Sequence, residues 1–275
     1  MGIISLLLII ANVLISYRGF KDRAFYNKYK FQVNPVLLYK DYKRMITSGF
    51  LHVNWMHLIF NMIALYFFSG SLELFLGPVR FLIIYFLSLA GGDLLSLFIH
   101  RNDGDYDSVG ASAAVGGLIF ATIALSPGMR IGLLFLTIAI PGWLFGLIYV
   151  LYSIYGIRSR KDNIGHDAHL GGALVGLIIA IIMQPSSLIN NAWAIVIILV
   201  PSVIFMYIII TKPHALLIDN YFFNKHSDAI TIDHKYNIEK INKQKELDKI
   251  LEKIHKKGMK SLTTKEKQML DEYSK

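Results

Sequence analysis

Three short stretches of the 275-residue chain carry side chains that could do covalent chemistry together. Ser112 stands in Gly110-Ala111-Ser112-Ala113-Ala114, flanked by the smallest residues at the mouth of an apolar run. A hydroxyl so placed can be approached closely, and it lies where the unpaired backbone N–H groups of a helix start converge. His52, Asn54, His57 and Asn61 form a second set, and His166, Asp167 and His169 a third. A serine, several imidazoles and an amide are the inventory of a nucleophile, a general base and an oxyanion stabiliser. His57 and Asn61 are spaced i, i+4, so a helix presents both on one face, with Asn61 about 6 Å further along the axis. For Ser112 taken alone, the simpler reading is that small residues let two membrane helices touch.

The elements that must position these groups are membrane spans. The chain is 54% hydrophobic and only 17% charged, with a mean hydropathy of +0.48. Apolar residues concentrate in seven blocks, roughly 3–16, 53–75, 79–99, 111–126, 131–152, 168–183 and 192–211. Crossing the hydrocarbon core takes about 20 apolar residues, so the first, fourth and sixth blocks need flanking residues. Only helices and closed barrels satisfy the backbone in lipid, and the alternating segments of a barrel are absent, so the fold class is all-α and polytopic. Block 3–16 lacks the basic start and small-residue cleavage site of a signal peptide and reads as the first span. Consecutive spans alternate direction, so spans two, four and six begin on one side of the membrane. His52 to Asn61, Ser112, and His166 to His169 therefore share one face and one depth. Polar side chains inside a membrane are expensive and face a bundle interior or a watery cavity.

The glycines favour contact between the serine and an imidazole. Gly172 and Gly176 give span six a small-xxx-small face, and span four answers with Gly110, Ala113, Ala114, Gly116 and Gly117. Close packing explains those glycines but not a serine and a histidine at the top of the seam.

Three motifs now resemble those of the rhomboid intramembrane serine proteases, across most of 44–183. Gly110-Ala111-Ser112-Ala113 resembles the G-x-S-x nucleophile motif. Ala168-His169 with Gly172 and Gly176 resembles A-H-x-x-G-x-x-x-G, and His52-x4-His57-x3-Asn61 resembles the second-helix pattern. Arg44 and Glu73 fall where the family has a loop arginine and a second-helix glutamate. The resemblance implies a six-helix bundle, here with one extra C-terminal transmembrane helix. It implies Ser112 as nucleophile and His169 as its base, with His57, Asn61 and the Ser112 N–H on the oxyanion. Gly110, Gly172 and Gly176 would serve close helix packing. The implied partners are a transmembrane protein substrate, single-span and cleaved after its helix unwinds, and the lipid bilayer. No cofactor or nucleic acid is implied, and the pattern encodes no oligomeric state. This chain departs from the family at Ala113, where Gly is frequent, and at Gly116, where an aromatic often stacks on the base. A catalytically inactive relative that binds membrane helices is the alternative, although it need not keep both Ser112 and His169. A transporter would show inverted repeats or broken helices, which are not evident.

Other polar residues read as structural. Asp167 lies just before His169, and neighbours on a helix point away from one another, so no catalytic carboxylate is expected there. His166 and His169 with His57 lack a carboxylate ligand or an H-E-x-x-H motif, and no metal site is expected. Without cysteine there is no disulfide, thiol chemistry or thiolate zinc site. Asp93, deep in span three, is a candidate by its position alone. Trp55, Trp143 and Trp193 fit interfacial anchors.

Residues 1–211 form the expected membrane domain and 212–275 a polar basic tail. The net charge of +9 comes mainly from the loop at 17–53 and this tail, so it describes membrane flanks and not a nucleic-acid face. In the tail, 239–256 has amphipathic helical spacing, Gly258 is a stop, and Thr263 with Glu266 offers a capping box for a second short helix. The positive-inside rule sets the active face towards the cytoplasm. The resemblance implies the opposite, and the expectation is a bacterial cytoplasmic membrane with the site opening to the extracytoplasmic side.

Overall fold

A computed structural model describes residues 2–132, 139–159 and 164–211, together with 250, 253, 254, 262, 263 and 266. The chain divides into two units, Met1–Phe223 and Asn224–Lys275. The first is a helical bundle. Helix α1 (Ile3–Lys21) is followed by three short helices, α2 (Arg23–Tyr29), α3 (Val33–Tyr39) and α4 (Arg44–Thr47). Then come α5 (Trp55–Leu76), α6 (Pro78–Ile99), α7 (Ser112–Leu125), α8 (Gly142–Ser159), α9 (His166–Met183), the short α10 (Ser186–Asn190) and α11 (Ala192–Thr211). By length and composition α1, α5, α6, α9 and α11 can each cross a membrane. Helix α7 is apolar but only 14 residues long, about 21 Å at 1.5 Å per residue. The architecture is the expected all-α polytopic membrane fold, with a C-terminal helix added to the bundle.

Helix α9 is central, packed between α6 and α7. Its small residues explain why. A Cβ on Gly172 would overlap the Ala113 backbone of α7, and one on Gly176 the Gly117 backbone. On the other side a Cβ at Gly171 would stand 2.9 Å from the Gly91 carbonyl of α6, and one at Gly92 would stand 2.5 Å from the Ala168 carbonyl of α9. Lipid tails are as apolar as leucine, so helices associate in a bilayer through such van der Waals contact and not through hydrophobic exclusion.

The fifth block breaks differently from the expected 131–152. Arg130–Gly132 (β1) and Ala139–Pro141 (β2) form an antiparallel ribbon, and the helix starts only at Gly142 and runs to Ser159. Pro141 forces an extended Ile140 and cannot continue a helix backwards. Near the other membrane face, a two-residue bridge pairs Phe31 with Ser108 and Gln32 with Asp107, tying the basic loop to the segment that leads into α7. Arg44 fixes that loop. Its guanidinium bonds the carbonyls of Asn27 and Lys30 at 2.9 Å each and pairs with Asp41 at 2.9 Å.

Helix α1 has no N-terminal side-chain cap of its own. Glu73, near the end of α5, accepts the N–H groups of Ile4 and Ser5 at 3.0 and 2.9 Å and the Ser5 hydroxyl. A carboxylate there satisfies orphan donors and meets the positive end of the helix dipole. It also runs α1 antiparallel to α5, as alternating spans require.

In the second unit, the amphipathic helix over 239–256 and the second short helix fall almost wholly outside the described residues. Those described carry the capping box. The Thr263 N–H and hydroxyl donate to Glu266 at 2.7 and 2.9 Å, and the Glu266 N–H returns a bond to Thr263 Oγ1 at 3.3 Å. Lys253 pairs with the same carboxylate at 2.8 Å.

If backbone contact between α9 and α7 holds the bundle, Gly176→Val should destabilise it by about 3 kcal/mol through overpacking. Gly132→Ala, where a Cβ meets open space, should be nearly neutral. Thermal unfolding in detergent distinguishes them, and equal midpoints would refute the packing argument.

Candidate active site

Ser112 is the first residue of α7, and His169 lies in the first turn of α9. The close approach of these helices brings His169 Nε2 to 2.7 Å from Ser112 Oγ. Both side chains are partly exposed, whereas most of the polar groups around them are buried. The serine hydroxyl therefore has a base within hydrogen-bond reach and an opening to a reactant.

The turn before the serine is held by its backbone. Gly110 has φ +132, a conformation that side chains rarely adopt. Its N–H donates to the Ser48 carbonyl at 3.1 Å, and the Ala111 N–H points at His52 Nε2, 3.5 Å away. Ser48 in turn donates its hydroxyl to Asp93 at 2.9 Å. Asp93 is thus accounted for as an anchor of this turn. The Ser112 N–H, at the helix start, is one of the orphan donors of α7.

His57 and Asn61 line the same place from α5. Asn54 caps that helix by accepting the His57 N–H at 2.9 Å. A Cβ on Gly110 would lie 2.7 Å from His57 Cε1, 2.9 Å from Nε2 and 3.7 Å from Ser112 Oγ. The imidazole therefore occupies the room that glycine leaves, beside the serine oxygen. Gly110 serves this approach and its own positive φ, not a seam between two helices, which is the part played by Gly172 and Gly176. Asn61 is buried and donates one amide hydrogen to the His57 carbonyl at 3.0 Å, leaving the second for another acceptor.

His52, quoted in the sequence only as part of a motif, has a defined structural task. It is fully buried. Ser16 of α1 donates its hydroxyl to the Phe50 carbonyl at 2.9 Å and so accepts from His52 Nδ1 at 2.8 Å. That leaves Nε2 as the acceptor facing Ala111. The ring stands edge-on to His57, with centroids 4.9 Å apart. Burial, aided by His57, pushes the His52 pKa down from 6.5 to about 3 and keeps the ring neutral.

Asp167 does not reach the base. Its carboxylate accepts from the Tyr106 hydroxyl at 3.2 and 3.3 Å and pairs with His100 Nε2 at 3.1 Å, and the His100 and Tyr106 rings stack 3.5 Å apart. It ties the start of α9 to the end of α6 and to the loop entering α7. His166 is buried against Tyr152, with centroids 5.0 Å apart. Among the described residues no cluster of three histidine, cysteine or acidic side chains is placed to hold a metal.

One neighbour of the base was not legible in the sequence. Tyr149 of α8 lies over His169, with centroids 6.3 Å apart and planes 29° from parallel. The missing aromatic at Gly116 points to a ring from elsewhere. Nothing in the spacing of α8 singles Tyr149 out from Phe145, Tyr152 and Tyr155.

The depressed pKa of His52 has a sign that can be tested. Between about 3 and 6.5 the unfolded chain takes up a proton that the folded ring refuses, so stability falls as pH drops through that window. His52→Gln, which keeps a donor and an acceptor, should flatten the acid side of a pH–melting curve. An unchanged slope would show that His52 does not contribute to it.

Comparison with known proteins identifies the family of this chain. A family model described as the rhomboid domain matches residues 39–186, and one described as a family of unknown function matches 230–275. RHOMBOID-like protein 12, mitochondrial, from Arabidopsis thaliana is 30% identical over 188 residues, covering 62% of this chain and 55% of its own. Rhomboid protein 1, mitochondrial, from Saccharomyces cerevisiae is 33% identical over 159 residues, covering 54% and 45%. Presenilin-associated rhomboid-like protein, mitochondrial, from Homo sapiens is 30% identical over 139 residues, covering 48% and 36%. The chain spans about half the length of the first two relatives. These relatives are named as mitochondrial, so the expectation of a bacterial cytoplasmic membrane has no counterpart among them; a multi-pass integral membrane protein is supported by the chain's own long apolar helices. With the rhomboid model matching more than half of its residues, and the Ser112–His169 pair inside that match, this chain belongs to the rhomboid family.

Proposed function

We propose that the chain is an intramembrane serine endopeptidase that cleaves transmembrane helices of single-span membrane proteins. The observation that carries the reading is the 2.7 Å contact between His169 Nε2 and Ser112 Oγ at the partly open end of α7 and α9. His169 Nε2 takes the hydroxyl proton as Ser112 Oγ attacks the scissile carbonyl. The resulting oxyanion is met by His57, the free amide hydrogen of Asn61 and the Ser112 N–H. His169 then returns the proton to the leaving amine, which departs and leaves an acyl-enzyme. Water, deprotonated by His169, attacks the acyl carbon, and the Ser112 oxygen leaves with the proton restored. Asp167 does not orient the base, since it is engaged by His100 and Tyr106. The substrate helix must unwind at the cut, because its carbonyls are otherwise hydrogen-bonded within the helix. The partly exposed Ser112 and His169 stand where α7 and α9 begin, on the side read as facing away from the cytoplasm.

A fluorophosphonate probe tests this directly. Purified wild type should be labelled and should cut a single-span reporter. Ser112→Ala should abolish both, and His169→Ala should lower the rate by at least about a thousandfold. Asn61→Ala and His57→Ala should each cost about a hundredfold in turnover, the loss typical of one oxyanion donor. A folded wild type that neither labels nor cleaves would overturn the reading in favour of an inactive helix-binding relative.

A further inference from the structure

A two-residue catalytic pair leaves one question of geometry. Ser112 meets Nε2 of the base in a hydrogen bond, and in-line proton transfer also requires that the plane of the ring be held. Position 116, one helical turn beyond Ser112 on α7, is the nearest place on that helix from which a side chain could do so. It is glycine, and the room it leaves is occupied. A Cβ on Gly116 would stand 3.0 Å from the Tyr149 hydroxyl and 3.8 Å from Tyr149 Cζ, with the His169 carbonyl at 3.7 Å.

We infer that Tyr149 is the residue that sets the plane of the His169 ring, and that Gly116 is its steric complement. The inference rests on the protease reading for the role of His169. The Tyr149 ring lies nearly parallel to the imidazole and is itself wedged. Phe120 of α7 meets it edge-on with centroids 5.2 Å apart, and Phe145 packs beside it at 6.1 Å. Helix α7 thus meets the base at its nitrogen and α8 meets it at its face. Tyr149 is a positioning residue, acting on the reacting atoms only through His169.

The contribution from α8 involves the C-terminal helix. Helix α8 packs against α11 as well as α7 and α9. Gly146, one turn before Tyr149, lets Ile198 of α11 come close, so that a Cβ there would stand 2.8 Å from its Cδ1. Trp143 of α8 and Trp193 of α11 meet edge-to-face at 5.7 Å, one turn before Gly146 on the same helix pair. Helix α11 therefore braces the element that orients the base.

The test trims the ring and then relocates it. Tyr149→Ala and Tyr149→Leu, the second keeping apolar bulk without a π face, should each slow fluorophosphonate labelling about 10- to 100-fold, the range expected when a reacting group is misplaced by about 1 Å. Tyr149→Phe should keep the wild-type rate. Gly116→Tyr with Tyr149→Ala should recover much of it, because two of the three atoms nearest the new Cβ belong to the trimmed Tyr149 ring. Gly116→Tyr alone, with two rings for one space, should be slow. Histidine NMR in the Ser112→Ala background reads the same contact without turnover. There the His169 ring resonances should move in Tyr149→Ala and stay in place in Tyr149→Phe. Wild-type labelling in both Tyr149→Ala and Tyr149→Leu, or unmoved His169 resonances in Tyr149→Ala, would overturn the assignment. An unlabelled wild type would instead refute the protease reading, and the NMR experiment would still decide the ring contact.

Discussion

The structure depends on one close approach, that of α9 to α7 and α6 through glycine. In water such a seam would be one packing solution among many. In lipid, where apolar side chains gain nothing by leaving the solvent, it is the interaction that assembles the bundle. It also sets the distance on which the chemistry turns. Ser112 and His169 sit at the starts of two helices whose backbones touch at Gly172–Ala113 and Gly176–Gly117. A side chain added at Gly172 or Gly176 would push these backbones apart and carry the imidazole away from the serine.

Around this seam the buried polar groups divide their labour. Glu73 caps α1, Asp93 holds Ser48, which holds Gly110, and Asp167 holds His100 and Tyr106. His52 joins Ser16 of α1 to the backbone ahead of the nucleophile. Each is a polar group whose burial is offset by a specific partner. Of the residues proposed to touch substrate, Ser112, His169 and His57 are only partly covered, whereas Asn61 is buried beside them. Carboxylates here do architecture, and the groups proposed for chemistry are a hydroxyl, two imidazoles and an amide.

Much of this was readable from residue types. Helix parity alone put Ser112, His57, Asn61 and His169 at one depth, because direction reversal at each span is a constraint that no packing detail can alter. The capping box at Thr263 and Glu266 was readable because it is local. What escaped was set by contacts distant in sequence. Tyr149 looks like any other aromatic of α8 until α8 is docked. The part played by His52 needs Ser16 and Ala111, 36 and 59 residues away. Gly110 resembled the packing glycines because a positive φ leaves no trace in composition. The fifth block was misdivided because an apolar run cannot by itself distinguish a ribbon from a helix, and Pro141 was the signal that would have moved the boundary.

The cap on α1 bears on how the protein is made. The amides of Ile4 and Ser5 find their acceptor on residue 73, so for tens of residues of synthesis the leading turn of the first helix has no protein partner for them. Only when the far end of α5 has been translated and has crossed back can that turn close. The first two long helices are therefore a unit of biogenesis, each incomplete without the other. The loop between them carries Ser48 and His52, so closing that unit also brings in the two groups that hold the turn before Ser112, a residue that follows them in the chain.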